Sequence, residues 1–305
     1  MSESSVPWTI LTLLRRATEH FREQGIDSPR AAAEILLAHA FGYRRIDLYL
    51  RYDQPVESAE RDRFRDLVRR RLHREPVAYI TGSREFWSMP LAVNPSVLIP
   101  RPETECLVEA ALAALPESAP SPGRILELGT GSGAAILALA KERPRHRFVA
   151  TDRSMAALLT ARANARRLAL DPRVDFLVGD WFAPFRPCGA WDVIVSNPPY
   201  IPTSVLADLA PEVAAFEPRQ ALDGGPDGLS CLRRLVTEAP AHLAAGGVLI
   251  LEIGADQRRS VADLARKTAA YRHIDFRTDY AGRDRVAILR KEGIPQGEAV
   301  VRVSE

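Results

Sequence analysis

Asn197, Pro198, Pro199 and Tyr200 stand at the end of an apolar run, Trp191 to Val195, in which Val193, Ile194 and Val195 follow one another without a polar residue. That pattern suits a strand buried on both faces of a sheet, and two prolines stop it. Asn197 carries an uncharged side-chain oxygen. The prolines have no N–H to satisfy, so the carbonyls at this rigid strand end remain free acceptors. An incoming –NH2 group could donate one hydrogen to the Asn197 oxygen and the other to the Pro198 carbonyl, while Tyr200 covers its flat face. Asn197, Pro198, Pro199 and Tyr200 are therefore the candidate clamp for a planar amine or amide, with Asn197, Pro198 and Tyr200 as candidate catalytic residues. Such a nitrogen is a poor nucleophile because its lone pair is delocalised. Holding both hydrogens aims that pair at an electrophile.

Three other stretches suggest where the electrophile comes from. GTGSG, Gly129 to Gly133, read with Ala134, satisfies the GxGxxA pattern that lets a strand turn tightly into a helix and a ligand approach the backbone. Asp152, ending RFVATD, is placed to accept from ribose hydroxyls, although Asp152 or Ser154 would equally cap the next helix. These two motifs describe an adenosine site and suit a nicotinamide cofactor as well as S-adenosyl-L-methionine. In GDWF, Asp180 can accept from an exocyclic amine and Trp181 offers a flat face to a purine, or serves as a structural tryptophan. The clamp favours the sulfonium cofactor, because methyl transfer to an amide releases a neutral thioether and needs no metal. The expected cofactor is S-adenosyl-L-methionine, held by Gly129, Thr130, Gly131, Ser132, Gly133, Asp152, Asp180, Trp181 and Asn197.

Composition narrows the class. At 305 residues and 46% hydrophobic content the chain accommodates one large and one small domain. Cys106, Cys188 and Cys231 are far apart with no CxxC pair, so neither a disulfide framework nor a metal site is expected. The opening MSESSVPWTI lacks the basic and apolar regions of a signal peptide, and no apolar run is long enough to span a bilayer; a cytoplasmic protein with no membrane partner is expected. With 41 Lys and Arg against 39 Asp and Glu, overall charge gives no argument for nucleic acid.

The elements that must position these residues fall into two styles. Residues 1–78 read as helices. Ile10, Leu13, Leu14 and Ala17 mark one amphipathic face. SPRAAAEILLAHAFG has Ser28 as N-cap, Pro29 at the first helical position and Gly42 past the end, and Phe64, Leu67, Val68 and Leu72 mark a third helix. The outer face of that third helix, 60–75, is rich in arginine and reads as a solvated face with i,i+4 ion pairs or as a docking surface. REFWSMPLAVN, Arg84 to Asn94, reads as a hairpin within a linking segment, 79–105. From 106 to 292 strands alternate with helices, the signature of a mostly parallel α/β sheet, with GTGSG, Asp152, Asp180 and NPPY at four strand ends, where such sheets bind ligands. The tail, 293–305, is expected to be disordered.

From Tyr79 onward the chain resembles the bacterial glutamine methyltransferases that modify peptide chain release factors, the HemK or PrmC family. The segments carrying the resemblance are YITGSREFWSMPLAVNPSVLIPRPETE (Tyr79 to Glu105), ELGTGSG (Glu127 to Gly133), GDWF, VSNPPYI and FEPRQALDGGPDGL (Phe216 to Leu229). NPPY alone is shared with enzymes that methylate amino groups of DNA bases; its combination with IPRPETE and a helical N-terminal region is far more specific. The resemblance implies a seven-stranded Rossmann-like sheet whose last strand, RVAILRK, is antiparallel, and a helical bundle that helps receive the release factor. The substrate would be the glutamine in that factor's Gly-Gly-Gln tip. It also implies that Gly129 to Gly133 line the methionine and ribose, that Asp152 binds ribose, that Trp181 lies beside adenine and that Asn197 to Tyr200 hold the glutamine amide. Arg101, Glu103 and Thr104 would either close over the methionine end or cap a helix, and Asp223 and Glu252 match acidic positions without an assigned role. Direct nucleic-acid binding is not expected, because Pro202 to Arg219 is short and contains Asp208, Glu212 and Glu217.

Overall fold

The computed structural model describes residues 8–116 and 121–293, so the tail expected to be disordered lies, past Gly293, outside the described residues. Five helices come first: α1 (Ile10–Glu23), α2 (Pro29–Phe41), α3 (Arg45–Leu50), α4 (Ser58–Leu72) and α5 (Val77–Thr81). A hairpin of β1 (Ser83–Phe86) and β2 (Met89–Ala92) leads to α6 (Thr104–Ala114). Then follow β3 (Arg124–Leu128), α7 (Ala134–Glu142), β4 (Arg147–Asp152), α8 (Met155–Arg167), β5 (Val174–Val178) and β6 (Trp191–Ser196). The chain continues with α9 (Pro211–Phe216), α10 (Ser230–His242), β7 (Leu243–Glu252), α11 (Arg258–Thr268), β8 (Tyr271–Thr278) and β9 (Asp284–Lys291). Two compact units result: a helical one, which runs to Ser83 and takes in Ala210–Phe216, and an α/β one formed by Arg84–Leu209 and the chain from Glu217. The helical unit is thus discontinuous, which no linear shift in composition marks.

In the helical unit Ile10, Leu13, Leu14 and Ala17 are all buried in one cluster with Leu36 and Leu37 of α2, as their helical spacing requires. Ser28 occupies the N-cap position of α2, but its left-handed backbone (φ 48°) leaves the side chain without a capping hydrogen bond. Pro29 tolerates this, since the first helical position needs no N–H. On α4 the exposed arginines pair at i,i+3 rather than i,i+4: Arg65 with Asp62 at 3.0 Å and Arg69 with Asp66 at 3.1 Å. Arg71 breaks the pattern of a solvated face. It is buried, and its guanidinium meets Glu212 of α9 at 2.7 Å.

The α/β unit carries a seven-stranded sheet in the order β5-β4-β3-β6-β7-β9-β8. Strands β3 to β7 are parallel, and β9 runs antiparallel to β7 and β8. Val193 and Val195 join one apolar cluster with Ile125 and Leu137, while Ile194 joins the other with Leu126 and Leu235. Two covered faces explain why that strand has no polar residue. From β3 the chain builds outward through β4 and β5 and then returns to β6 on the opposite side, which makes a crevice between β3 and β6 at their carboxyl ends. Buried Asn164 of α8 fixes the rim. Its Oδ1 accepts from the Ala92 N–H at 2.7 Å, and its Nδ2 donates to the carbonyls of Ala92 (3.0 Å) and Ser132 (2.9 Å), tying the hairpin to the glycine loop.

Candidate active site

A cavity of about 690 Å³ opens at the carboxyl ends of β5, β4, β3 and β6, within the size range of small-molecule sites. Gly129, Thr130, Gly131, Ser132, Asp152, Asp180, Trp181, Asn197 and Pro199 line it. Three expected site residues do not. Gly133 faces inward, where a β-carbon would come within 3.2 Å of that of Ala161, so its absence of a side chain serves the close packing of α7 on α8. Pro198 is absent from the lining, and Tyr200 lines a neighbouring cavity with Gln257. Its hydroxyl is drawn instead to the Glu252 carboxylate at 3.3 Å, and its carbonyl accepts from Gln257 Nε2 at 2.9 Å.

The glycine loop uses its own amides. Gly129 and Thr130 both donate to the Thr151 carbonyl at 2.9 Å, Gly131 donates to Asp152 Oδ2 at 2.9 Å, and Gly133 donates to the Thr130 carbonyl at 2.8 Å. Four of the five loop amides are thereby committed within the protein, while Ser132, Ala134 and Ala135 at the start of α7 line the cavity. Gly129 has φ 74°, and a β-carbon there would lie 3.7 Å from the Trp181 ring. The indole therefore rests against the loop beside the cavity. Asp152 both supports that loop and accepts from the Ser154 N–H at 2.9 Å, while Ser154 Oγ caps α8 by accepting from Ala157. Loop support, capping and a place in the cavity wall coexist in one carboxylate.

Charge in the wall is selective. Asp180 is paired with Arg234 at 2.6 Å, and Asp223 with Arg219 at 3.3 Å. Asp223 also accepts from the Thr203 hydroxyl (2.6 Å) and the Gly225 N–H (3.0 Å), which fixes the turn after NPPY. Glu127 and Asp152 have no ion pair among the described residues. Burial pushes the Glu127 carboxyl up to about 8, moderated by the Thr130 hydroxyl that donates to it and raised further by nearby Asp152. A cation bound beside Glu127 would favour its charged form, so this wall, with unpaired Asp152, suits a cationic ligand.

Asn197 sits in a chain of side chains. Its Nδ2 donates to Thr104 Oγ1 at 3.2 Å, and Thr104 Oγ1 donates to Glu252 Oε2 at 2.7 Å. Burial pushes Glu252 up to about 7, opposed by the Thr104 hydroxyl and by the charge of Arg285. Among the described residues no hydrogen bond takes the Asn197 oxygen, and none takes the carbonyl of Pro198 or Pro199. Arg101 and Thr104 both line the cavity, whereas Glu103 stands at the N-cap of α6 and makes no side-chain cap bond. Arg101 is held by Glu217, whose Oε2 also accepts from the Ile99 N–H at 3.2 Å. The Thr104 link, the unpaired Glu127 and the Arg234 counter-charge are features that residue order does not announce. Glu127, two residues before the glycine motif inside an apolar strand, is the one signal available.

Comparison with known proteins agrees with this geometry. Residues 12–82 match the PrmC N-terminal domain model and residues 105–212 the methyltransferase small domain model. The chain is 43% identical over 296 residues, 95% of this chain and 100% of the relative, to a release factor glutamine methyltransferase of Rhodopirellula baltica. It is 46% identical over 286 residues, 93% of this chain and 100% of the relative, to one of Moorella thermoacetica. Among solved structures, a methyltransferase from Pyrococcus furiosus shares the fold, with a TM-score of 0.50 and 20% identity over 68% of this chain and 90% of that one. With relatives this similar over nearly its whole length, the chain belongs to the release factor glutamine methyltransferase family.

Proposed function

We propose that this protein transfers a methyl group from S-adenosyl-L-methionine to the side-chain amide nitrogen of the glutamine in the Gly-Gly-Gln tip of peptide chain release factors, supporting translation termination. The observation that carries the reading is the Asn197 side chain, pinned through its nitrogen so that its oxygen is left as an acceptor in the cavity wall. Family membership supplies the substrate class.

The residues present fit the cofactor. The unpaired carboxyl groups of Glu127 and Asp152 in the cavity wall suit a ligand that carries a sulfonium and an ammonium. Gly129 to Ser132 would line its methionine and ribose, Asp152 would take the ribose hydroxyls, and Trp181 would lie beside adenine. Asp180 would accept from the adenine amine with whatever capacity its ion pair with Arg234 leaves. When bound, S-adenosylmethionine supplies a methyl group on positively charged sulfur.

This chain's contribution is to orient the nucleophile. Asn197 Oδ1 accepts one hydrogen of the substrate –NH2 and the Pro198 carbonyl accepts the other. Pro198 is not part of the cavity lining, but its carbonyl takes no hydrogen bond among the described residues. The nitrogen lone pair is left perpendicular to the amide plane and aimed. Tyr200 holds the loop in place by its hydroxyl and carbonyl. The alkylated amide is a strong acid, and it releases its extra proton to water without a dedicated base. The helical unit, with the arginine-rich α4, is assigned to docking the release factor. Incubating the protein with methyl-labelled S-adenosylmethionine and an intact release factor, then locating the label by mass spectrometry, tests the reading. Label on the Gly-Gly-Gln glutamine is expected; label on another residue, on a ribosomal protein or on RNA alone refutes it.

A further inference from the structure

We infer that Thr104 and Glu252 are positioning residues for the methyl transfer, because together they decide which end of the Asn197 amide faces the substrate. The inference rests on the functional reading above and adds two residues to it. A carboxylate can only accept hydrogen bonds. Buried Glu252 takes the one hydroxyl hydrogen of Thr104 at 2.7 Å, so Thr104 Oγ1 has only lone pairs left for Asn197. Its partner at 3.2 Å must then be the Asn197 –NH2, and the oxygen is the group left over. The second carboxylate oxygen accepts from Tyr200 at 3.3 Å, which anchors the other end of the same tetrapeptide. One carboxylate thus sets both the rotamer of the clamp's side chain and the path of its loop.

The order reverses when Glu252 is protonated. Its own hydrogen then goes to Thr104, the Thr104 hydrogen turns to Asn197, and the amide must present its oxygen to Thr104 and its –NH2 to the substrate. Two –NH2 groups facing each other cannot bond. The groups around the carboxylate are Thr104 and Cys106 on α6, Glu103 at its N-cap, Tyr200 and Arg285. Arg285 shares its charge with Asp279, at 3.3 Å, and donates to the Ile253 carbonyl. Burial nonetheless holds Glu252 up at about 7, so the reversal falls in an accessible range of pH.

The test pairs Thr104→Val with Thr104→Ser, and adds Glu252→Gln, on the full chain with an intact release factor. Thr104→Val should lose kcat by about tenfold to a hundredfold, the cost of a misdirected orienting group. S-adenosylmethionine affinity by calorimetry should stay near wild type, the melting temperature should drop because buried Glu252 loses a donor, and Thr104→Ser should recover most of the turnover. At saturating substrates the wild-type kcat should fall as pH drops through about 7, and Glu252→Gln should lose that acid limb. Wild-type kcat in Thr104→Val, no rescue by serine, a parallel loss of cofactor affinity, or an acid limb that persists in Glu252→Gln would each overturn the positioning role. A wild-type protein that leaves the factor unmethylated refutes the functional reading itself, which separates the two failures.

Discussion

Two buried carboxylates of the helical unit are held in the opposite way from two of the α/β unit, whose Glu217 and Asp279 are guanidinium-paired like the former. In the helical unit, burial would raise Glu34, but hydrogen bonds from Arg45, Tyr49 and Arg30 hold it below the ordinary glutamate range. Glu212 behaves alike: burial pushes it up, and bonds from its own backbone and from Arg71 bring it down. In the α/β unit, Glu127 and Glu252 are also buried, but have hydroxyls as their hydrogen-bonding side-chain partners and are pushed up to about 8 and about 7. A guanidinium partner locks a carboxylate into one charge state, which serves structure. Hydroxyl partners leave the state open to a cation or a proton, and such groups gather at functional sites. Both open carboxylates stand at the cavity or one hydroxyl away from it.

The largest effect expected from this contrast is at the clamp. Asn197→Ala should lose about 10²- to 10³-fold in kcat, the loss typical of one preorganised polar contact to a transition state, with cofactor affinity less affected. Asn197→Asp should fare no better. It sets a second carboxylate beside Thr104, whose single hydrogen already serves Glu252, and like charges that close favour protonation of one of them. Turnover of the aspartate variant near wild type, measured at saturating cofactor, would break the claim that Glu252 is ionised in the working enzyme.

Next comes the locked side of the comparison. Glu212→Ala should destabilise the helical unit by about 3 kcal/mol, because it leaves buried Arg71 without its counter-charge; guanidinium unfolding reads this directly. The pH slopes should also diverge. Glu212 and Glu34 have lowered values, so their stabilisation is present above the ordinary glutamate value of about 4.5 and is lost as pH falls through their folded values. For Glu127 and Glu252 the sign is reversed: their contribution is fullest below about 4.5 and declines as pH rises to about 8 and about 7 respectively. Hydrogen exchange in α4 and in β3, corrected for intrinsic rates, should show opposite trends across this range. Parallel trends would mean that the two kinds of burial do not differ.

Much of the α/β unit was legible in the residues. Ser154, read as a possible cap of the next helix, caps α8, and the uninterrupted Val193 to Val195 run announced a strand with two covered faces. That GTGSG, Asp152, Asp180 and NPPY stand at four strand ends, where the cavity opens, followed from the alternation of strands and helices. Contacts that join distant residues were not legible. The partner of Arg71 lies 141 residues away on α9, and the partner of Thr104 lies 148 residues away at the end of β7. Local periodicity carries no information about either. The glycine loop was read as letting a ligand approach its backbone, and four of its five amides are committed to Thr151, Asp152 and Thr130; a motif fixes backbone shape and not which groups that shape leaves free. Tyr200 was expected over the substrate's face and is turned to a carboxylate that only tertiary structure brings near.

A third effect sharpens the cofactor side. Asp152→Ala should weaken S-adenosylmethionine binding by about 1.5 to 3 kcal/mol, the range for hydrogen bonds to a charged group. Part of that loss would come through the Gly131 N–H that Asp152 holds at 2.9 Å. Asp152→Asn, which keeps an acceptor and removes the charge, should fall between alanine and wild type. Calorimetry that found the asparagine variant equal to wild type would assign the whole effect to loop support and none to the acidic wall.

The smallest effect is expected two residues from one of the larger ones. Arg69 and Arg71 share α4, yet Arg69 pairs with Asp66 in the open, where both side chains are more than half exposed, while Arg71 pairs with Glu212 almost out of contact with water. An exposed pair gains little in high dielectric and loses side-chain freedom, so Arg69→Ala should change stability by no more than about 0.5 kcal/mol. Added salt should shrink even that, since screening acts on exposed charges first, and it should barely alter the cost of Glu212→Ala. Because Arg69 is free of structural duty, it also isolates the docking assignment. If α4 receives an acidic face of the release factor, Arg69→Ala should raise the KM for the intact factor while leaving the melting temperature in place. An unchanged KM at low salt would make this face of α4 a solvated one, and docking would have to be sought elsewhere on the helical unit.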